Sequence, residues 1–138
     1  MNDDEFRQAL SVLEVYNSQL ESFAQQAQIF RASLEEALRA RETMKAFLNA
    51  KEGDEILVPI GATSFVTAKA SGSGKAIVGI GTRISVEKDL DSAIAFMDDT
   101  VKDISEALKR TSETAAETET NARNLSLAVQ QEYQRRQQ

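Results

Sequence analysis

The stretch that decides the fold of this chain is Gly53-Asp54-Glu55-Ile56-Leu57-Val58-Pro59-Ile60-Gly61-Ala62-Thr63-Ser64-Phe65-Val66. All six glycines and the single proline of the sequence lie between Gly53 and Val86. Short runs of β-branched residues interrupted by glycine are typical of strands joined by tight turns. We therefore predict a single domain, 1–138, with a helical arm at about 3–51, β-hairpins at about 54–86 and a second helical arm at about 88–136.

Within this stretch, the strongest turn signal is Ser71-Gly72-Ser73-Gly74, which lies between two strand-like runs, 64–70 and 75–80. That arrangement predicts a hairpin that turns at 71–74. A second turn is expected near Gly61, and a break near Gly79 to Gly81. After the glycine-rich turn, alternate positions are apolar, which predicts one buried face of a sheet and puts Ile77 on the other face. The sequence thus favours two hairpins.

On the N-terminal side, apolar residues alternate at spacings of three and four, the pattern of a coiled coil. The positions of this first seam are Phe6, Ala9, Leu13, Tyr16, Leu20, Phe23, Ala27, Phe30, Leu34, Ala37, Arg41, Met44 and Leu48. Only Arg41 breaks the apolar pattern. Gly53 is available for the left-handed conformation that follows a helix end.

The same spacing returns after the glycine-rich stretch. The second seam comprises Leu90, Ile94, Met97, Val101, Ile104, Leu108, Thr111, Ala115, Thr118, Ala122, Leu125 and Val129. Asp89 and Asp91 favour a helix start there. Arms of equal length joined by a short β unit are predicted to fold back as an antiparallel pair, in which facing residue numbers add up to about 138. Leu34 then faces Ile104, and Leu13 faces Leu125.

Composition excludes several classes of function. The chain has no cysteine and no histidine, so disulfides, the usual zinc sites and imidazole chemistry are not expected. A net charge of -6 argues against general binding to nucleic acid or to anionic lipid. The acidic start and the lack of a long apolar run predict an intracellular chain without a membrane span. We expect no catalytic residues, no metal and no cofactor, and we expect proteins as partners.

Several runs in combination resemble the alpha-class subunit of prefoldin, in its archaeal form. They are Leu57-Val58-Pro59-Ile60-Gly61-Ala62-Thr63-Ser64-Phe65-Val66, Ile77-Val78-Gly79-Ile80-Gly81, and Val86-Glu87-Lys88-Asp89-Leu90-Asp91-Ser92-Ala93. The likeness extends over the whole chain. It differs at Thr63, where a smaller residue is expected.

The resemblance implies an α+β fold, a long antiparallel two-helix coiled coil with two β-hairpins between the arms, whose hairpins form an oligomeric β-barrel base. It implies a hexamer of two alpha-class and four beta-class subunits. It also implies an ATP-independent chaperone of the cytoplasm, a holdase that captures non-native proteins at the coiled-coil tips and delivers them to a group II chaperonin.

The residues themselves also predict assembly, because four short strands on two helices leave sheet edges that proteins normally pair or close. The apolar strand residues exceed what one small sheet can cover. We assign oligomerisation to Leu57, Val58, Ile60, Phe65, Val78 and Ile80.

Client capture is predicted at the free ends of the arms, where few partners remain to cover apolar side chains. The candidate residues are Phe6, Leu10, Leu13, Leu125, Leu127, Val129 and Tyr133. Ordinary packing or fraying of helix ends would also account for them. A structural coiled-coil scaffold or tether is the main alternative function, and an enzyme is a third, disfavoured because no set of reactive residues converges.

Overall fold

The computed structural model describes all residues, 1–138, and contains two helices and four strands. In chain order these are α1 (Asp3–Asn49), β1 (Glu55–Gly61), β2 (Ser64–Lys69), β3 (Lys75–Gly81), β4 (Ile84–Asp89) and α2 (Leu90–Gln137). The predicted fold class, two long helices with two antiparallel hairpins between them, is confirmed. The chain forms two compact units: a terminal unit of residues 1–31 and 106–138, and a hairpin unit of residues 32–105.

Helix α1 begins with a reciprocal cap that the sequence encodes locally. The Glu5 amide donates to Asn2 Oδ1 at 2.8 Å, and the Asn2 amide donates to Glu5 Oε2 at 2.9 Å. This capping box satisfies two amides that the first turn of a helix leaves unpaired. Three acidic residues in that first turn also complement the positive end of the helix dipole.

The end of α1 differs from the prediction in its use of Gly53. The helix stops at Asn49, and Gly53 lies four residues later in a turn closed by the Asp54 amide and the Lys51 carbonyl at 3.0 Å. Gly53, the third residue of this turn, has a φ of +86°, the value typical of a type II turn, which glycine adopts without steric cost. The glycine therefore directs the chain into β1 and does not cap the helix.

The strands form two separate antiparallel hairpins, β1 with β2 and β3 with β4. Val58 faces Val66 in the first hairpin, and Val78 faces Val86 in the second. The predicted turn near Gly61 and the break near Gly81 are the two hairpin turns. The predicted hairpin across 71–74 is wrong, because β2 and β3 do not pair.

The hydrogen bonds of the linker explain this difference. Ala70 belongs to the first hairpin, since its amide donates to the Asp54 carbonyl and its carbonyl accepts from the Gly53 amide. Gly74 belongs to the second, since its carbonyl accepts from the Leu90 amide at 2.9 Å. The two ends of the linker are thus tied to different partners, and the serines between them bond locally to neighbouring amides.

Small residues dominate the buried seam of the terminal unit. Ala9, Ala27, Thr118 and Ala122 are buried, while the larger seam residues Phe6, Leu13, Tyr16, Leu20 and Phe23 are half-buried. The Asp3 carboxylate and the Arg136 guanidinium, whose residue numbers add up to 139, form an ion pair between α1 and α2. The helices therefore run antiparallel in the predicted register to within one residue.

In the hairpin unit, Ala37, Ala70, Val78, Leu90 and Ala93 are buried. Arg41, the residue that breaks the first seam, forms an ion pair with Asp98 at 3.0 Å. The numbers of these facing residues also add up to 139, so α1 and α2 have the same register in this unit. Leu48 does not continue the seam as predicted, because it is 42% exposed. It lies one residue before the end of α1.

Candidate functional site

An apolar groove runs along one side of the terminal unit. It has a volume of about 390 Å³. The groove is lined by Phe6, Leu10, Val129, Gln130, Tyr133 and Gln134. None of these side chains carries a charge, and Leu10 and Tyr133 are 41% and 57% exposed. This apolar groove therefore offers uncovered aliphatic and aromatic surface with amide groups at its edge.

A second groove in the same unit, of about 480 Å³, has a different chemistry. Its lining comprises Glu5, Gln8, Ala9, Val12, Tyr16, Asn121, Asn124 and Leu125. Four of these eight side chains are amides or a carboxylate. We call it the polar groove. The two sides of the coiled-coil end thus present unlike surfaces.

The structure separates the seven residues predicted for client capture. Phe6, Leu10, Val129 and Tyr133 meet in the apolar groove. Leu125 lies in the polar groove. The remaining two line neither groove: Leu13 is half-buried in the seam and Leu127 is 52% exposed. The heptad could not show this division, because it identifies the seam and not the two sides that flank it.

Sequence reasoning missed a cluster of charges that joins the ends of α1 and α2. Arg136 Nη1 donates to Asp3 Oδ1 at 2.5 Å, and Arg136 Nε donates to Glu132 Oε1 at 2.9 Å. Arg135 donates twice to Glu132, at 2.6 and 3.0 Å. The Arg136 guanidinium also lies 4.7 Å from the centre of the Phe6 ring. The predicted register could have found the pair of Asp3 and Arg136.

These contacts change the acidity of the carboxylates. Hydrogen bonds from Arg135, together with Arg136, lower the pKa of Glu132 from 4.5 to about 2. A hydrogen bond and the positive charge of Arg136 likewise lower the pKa of Asp3. Both carboxylates are therefore ionised at neutral pH, and each stabilises the position of Arg136.

The hairpin unit exposes large apolar side chains on both hairpins. On the first hairpin these are Leu57, Ile60, Phe65 and Val66, and on the second Ile77, Ile80 and Ile84. The largest exposed fraction is 77%, at Ile77. This much exposed apolar surface on two small sheets marks an interaction surface.

The residues predicted for oligomerisation differ in their burial. Leu57, Ile60, Phe65 and Ile80 belong to the exposed set. Val58 is half-buried. Val78 is only 1% exposed, so it packs within the hairpin unit and presents no surface. Ile77 and Ile84 were not among the predicted residues, although the alternation along β3 places Ile77 on the face opposite to Val78.

A third groove, of about 590 Å³, lies in the hairpin unit between α1 and the first hairpin. Leu38 and Ala46 line it from the helix, and Leu57, Pro59 and Phe65 line it from the strands. Arg39 and Glu42 also contribute to its lining. The face of the first hairpin that carries Leu57 and Phe65 is therefore only partly covered by its own chain.

Two further observations concern other kinds of site. The acidic side chains do not gather in any group of three or more that could hold a metal ion. Neither helix contains a segment apolar and long enough to cross a membrane.

Comparison with known proteins decides the family. The family model described as prefoldin subunit matches residues 16–135. The chain belongs to the prefoldin family. It is 33% identical over 119 residues to the prefoldin subunit alpha of Pyrococcus horikoshii, an alignment that covers 86% of this chain and 80% of the relative.

Solved structures show the same prefoldin fold. The chain is similar to the cryo-EM structure of filamentous PFD from Methanocaldococcus jannaschii, with a TM-score of 0.65, 22% identity and coverage of 88% of this chain and 98% of the other. It is also similar to the crystal structure of the prefoldin beta subunit from Thermococcus strain KS-1, with a TM-score of 0.59, 16% identity and coverage of 92% and 90%. The prefoldin family consists of chaperone subunits, so membership of that family confirms the predicted role as a chaperone subunit.

Proposed function

We propose that this protein is the alpha-class subunit of a cytoplasmic prefoldin that contains two alpha-class and four beta-class subunits. It binds non-native proteins in the apolar groove of the terminal unit, without ATP and without catalysis. It then delivers them to a group II chaperonin. Its hairpins join the partner subunits in a β-barrel base.

The apolar groove is the observation that carries the proposal. Leu10 and Tyr133 remain exposed beside Phe6 and Val129, and burying one such side chain against a partner contributes about 1.5 to 3 kcal/mol. An uncharged lining does not select for a particular client sequence, which suits a protein that binds many unfolded chains. Several such grooves in one hexamer would raise the affinity through multivalency.

The hairpin unit supports the assembly part of the proposal. Seven large apolar side chains are exposed on two sheets of two strands each. A two-stranded sheet leaves one edge of every strand unpaired, which proteins normally cover by closure or by a partner. Contact with beta-class hairpins would pair these edges and bury the apolar residues together.

Capture is tested by a double variant, Leu10→Ser with Tyr133→Ser, in the assembled complex. We expect it to suppress the aggregation of a denatured client about tenfold less effectively, because it removes most of the uncovered apolar surface of the groove. Light scattering of the client and sedimentation of the complex are the measurements. The matched control is Val15→Ser with Ile29→Ser, which also removes two exposed apolar residues of the terminal unit, both outside the groove.

The outcomes separate the candidate functions. Loss of protection in the groove variant alone, with assembly intact, supports capture in the groove. Equal protection by both variants and the unchanged complex would contradict it. A complex that never protects any client would favour the structural scaffold or tether.

A further inference from the structure

We propose that Arg136 is a positioning residue for client capture, which holds the ends of α1 and α2 together and fixes the Phe6 ring in the wall of the apolar groove. This inference rests on the proposed function of that groove. It assigns a role to the cluster of charges at the helix ends, and it makes capture of apolar segments dependent on ionic strength.

The contacts of Arg136 carry the argument. Its side chain contacts three groups of the N-terminal segment: the Asp3 carboxylate at 2.5 Å, the Met1 carbonyl at 3.2 Å and the face of the Phe6 ring at 4.7 Å. On its own helix it is bonded to Glu132 at 2.9 Å. One side chain therefore joins the last turn of α2 to the first turn of α1.

Phe6 links this contact to the groove. The ring lines the apolar groove, whereas Arg136 does not. Arg136 therefore supports the ring from outside the binding surface and does not occupy it. A guanidinium over an aromatic face is attracted to the ring electrons, so the contact restricts the ring to one position in the groove wall.

An arginine fits this role better than another cation. Its planar fork can bond two carboxylates at once and lie flat against a ring, whereas the lysine ammonium acts as a single point charge. Glu132, whose side chain is only 8% exposed, holds the Arg136 guanidinium through the bond from Arg136 Nε. The neighbouring Arg135 bonds to the same carboxylate and does not reach α1, so it strengthens the anchor without joining the helices.

The physical consequence is that salt should weaken the capture of an apolar client, although salt usually does not weaken binding through apolar surface. Burial of apolar surface is not weakened by screening, and excluded salts strengthen it. Exposed ion pairs, in contrast, lose strength as the Debye length falls from about 10 Å at 0.1 M to about 3 Å at 1 M salt. If ion pairs keep the groove in its binding shape, rising NaCl weakens the capture of an apolar client.

The test compares Arg136→Gln with the unchanged protein in the assembled complex, with an uncharged apolar peptide that carries a fluorophore as the probe. At low salt we expect the variant to bind the peptide about fivefold more weakly, the loss that exposed ion pairs and one cation–π contact together produce. Raising NaCl should weaken binding by the unchanged protein toward the level of the variant. It should change binding by the variant less, because only the ion pair of the Met1 ammonium with Glu132, at 3.6 Å, still joins the two ends there. Arg136→Lys should lie between the two.

The matched control is Arg123→Gln. Arg123 is an exposed arginine of the same helix, bonded only to Glu119 on its own helix, so its removal changes the net charge equally without touching α1. It should retain the affinity and the salt response of the unchanged protein. The proposal would be overturned if the affinity for the peptide fell equally with NaCl in Arg136→Gln and in the unchanged protein. It would also be overturned if Arg123→Gln lost as much affinity for the peptide as Arg136→Gln.

A structural readout separates positioning from a direct contact with the client. The chain has no cysteine, so spin labels at Gln8→Cys and Gln131→Cys report one distance across the helix ends. We expect a broader distance distribution in Arg136→Gln and in high salt, without client present. An unchanged distance distribution in Arg136→Gln would overturn the role of Arg136 in holding the helix ends together. If Leu10→Ser with Tyr133→Ser still captured clients normally, the proposed function of the groove itself would be wrong.

Discussion

At the scale of single residues, Arg41 is the one charged side chain in the apolar pattern of α1, and it pairs with Asp98 at 3.0 Å. Its Nε is buried without a hydrogen-bond partner, which costs free energy. A polar residue in a seam position is commonly kept because it specifies register at some cost in stability. We infer that Arg41 selects the register of the hairpin unit.

We therefore predict that Arg41→Leu leaves the thermal midpoint unchanged or higher, because it removes an unpaired polar atom and continues the seam. The same change should allow α1 and α2 to pair in a second register as well. Cysteines at positions 34 and 104 are expected to crosslink readily in the unchanged sequence, and a crosslink between 34 and 97, one heptad away, should appear only with Arg41→Leu. A drop of the midpoint with a single crosslinked register would show that Arg41 stabilises the pair instead.

Glu132 gives a prediction about pH. Its pKa is lowered from 4.5 to about 2 by its arginine neighbours, so the stabilisation by its charge is fully present above pH 4.5 and is lost as the pH falls toward 2. The spin-label distance across the helix ends should stay constant from pH 7 to 5 and broaden below pH 4.5. In Glu132→Gln, the distribution of this distance should be broader at neutral pH and should change less between pH 5 and pH 2. If the distance had the same pH dependence in Glu132→Gln and in the unchanged protein, Glu132 would not be the residue that holds Arg136 in place.

At the scale of elements, the exposed faces of the hairpins carry the assembly hypothesis. Ile77 lies on the face of β3 opposite to Val78 and is 77% exposed, so replacing it by a charge costs the isolated subunit little. We predict that Ile77→Asp prevents assembly with beta-class subunits, because an unpaired charge cannot be buried cheaply in an interface. Sedimentation measures the loss, and circular dichroism checks that the subunit still folds.

The matched control for this hairpin variant is Ile29→Asp, which puts the same charge on an apolar residue of α1 that is 65% exposed. It should assemble normally. Val58→Asp is a less direct test, since Val58 is half-buried and its replacement also disturbs the first hairpin. Normal assembly of both Ile77→Asp and Val58→Asp would count strongly against the barrel base.

The elements also show how far sequence reasoning reaches. Heptad spacing located both helices and their register, because the same apolar period repeats over many turns. Strand pairing was harder, since Ser71-Gly72-Ser73-Gly74 has the composition of a hairpin turn but acts as a linker. The true turn of the first hairpin contains Ala62 and Thr63 at φ values of 51° and 55°, a conformation that neither residue type prefers, so its sequence carries a weak signal.

The candidate site was predictable in part for a related reason. A heptad identifies residues of the seam, and at the helix ends it drew attention to Phe6 and Val129. It gives no information about which side of the pair is apolar, because that depends on residues such as Leu10, Gln130 and Tyr133 that lie beside the seam. The contacts of Arg136 depend on side-chain conformation, which spacing alone does not specify.

At the scale of the whole molecule, the two proposed activities lie in different units. The apolar groove and the cluster of charges at the helix ends belong entirely to residues 1–31 and 106–138, and the exposed hairpin faces belong entirely to residues 32–105. The two proposals therefore predict that client binding can be lost through changes that leave assembly intact, and that assembly can be lost through changes that leave the apolar groove intact. This separation follows from a sequence in which every glycine and the proline are confined to the middle.

The separation is tested by deleting residues 1–13 together with 126–138. The deletion removes all the residues of the apolar groove, but it leaves Ala27, Thr118 and Ala122, which are buried in the seam, so the shortened helices retain part of their packing. We expect the truncated subunit to assemble with beta-class partners and to lose suppression of client aggregation, measured by sedimentation and light scattering on the same sample. Leu10→Ser with Tyr133→Ser in the full chain should reproduce the loss without shortening any helix. If the truncated complex protected clients as well as the full-length complex, capture would have to occur along the remaining arms, and the groove at the helix ends would have no part in it.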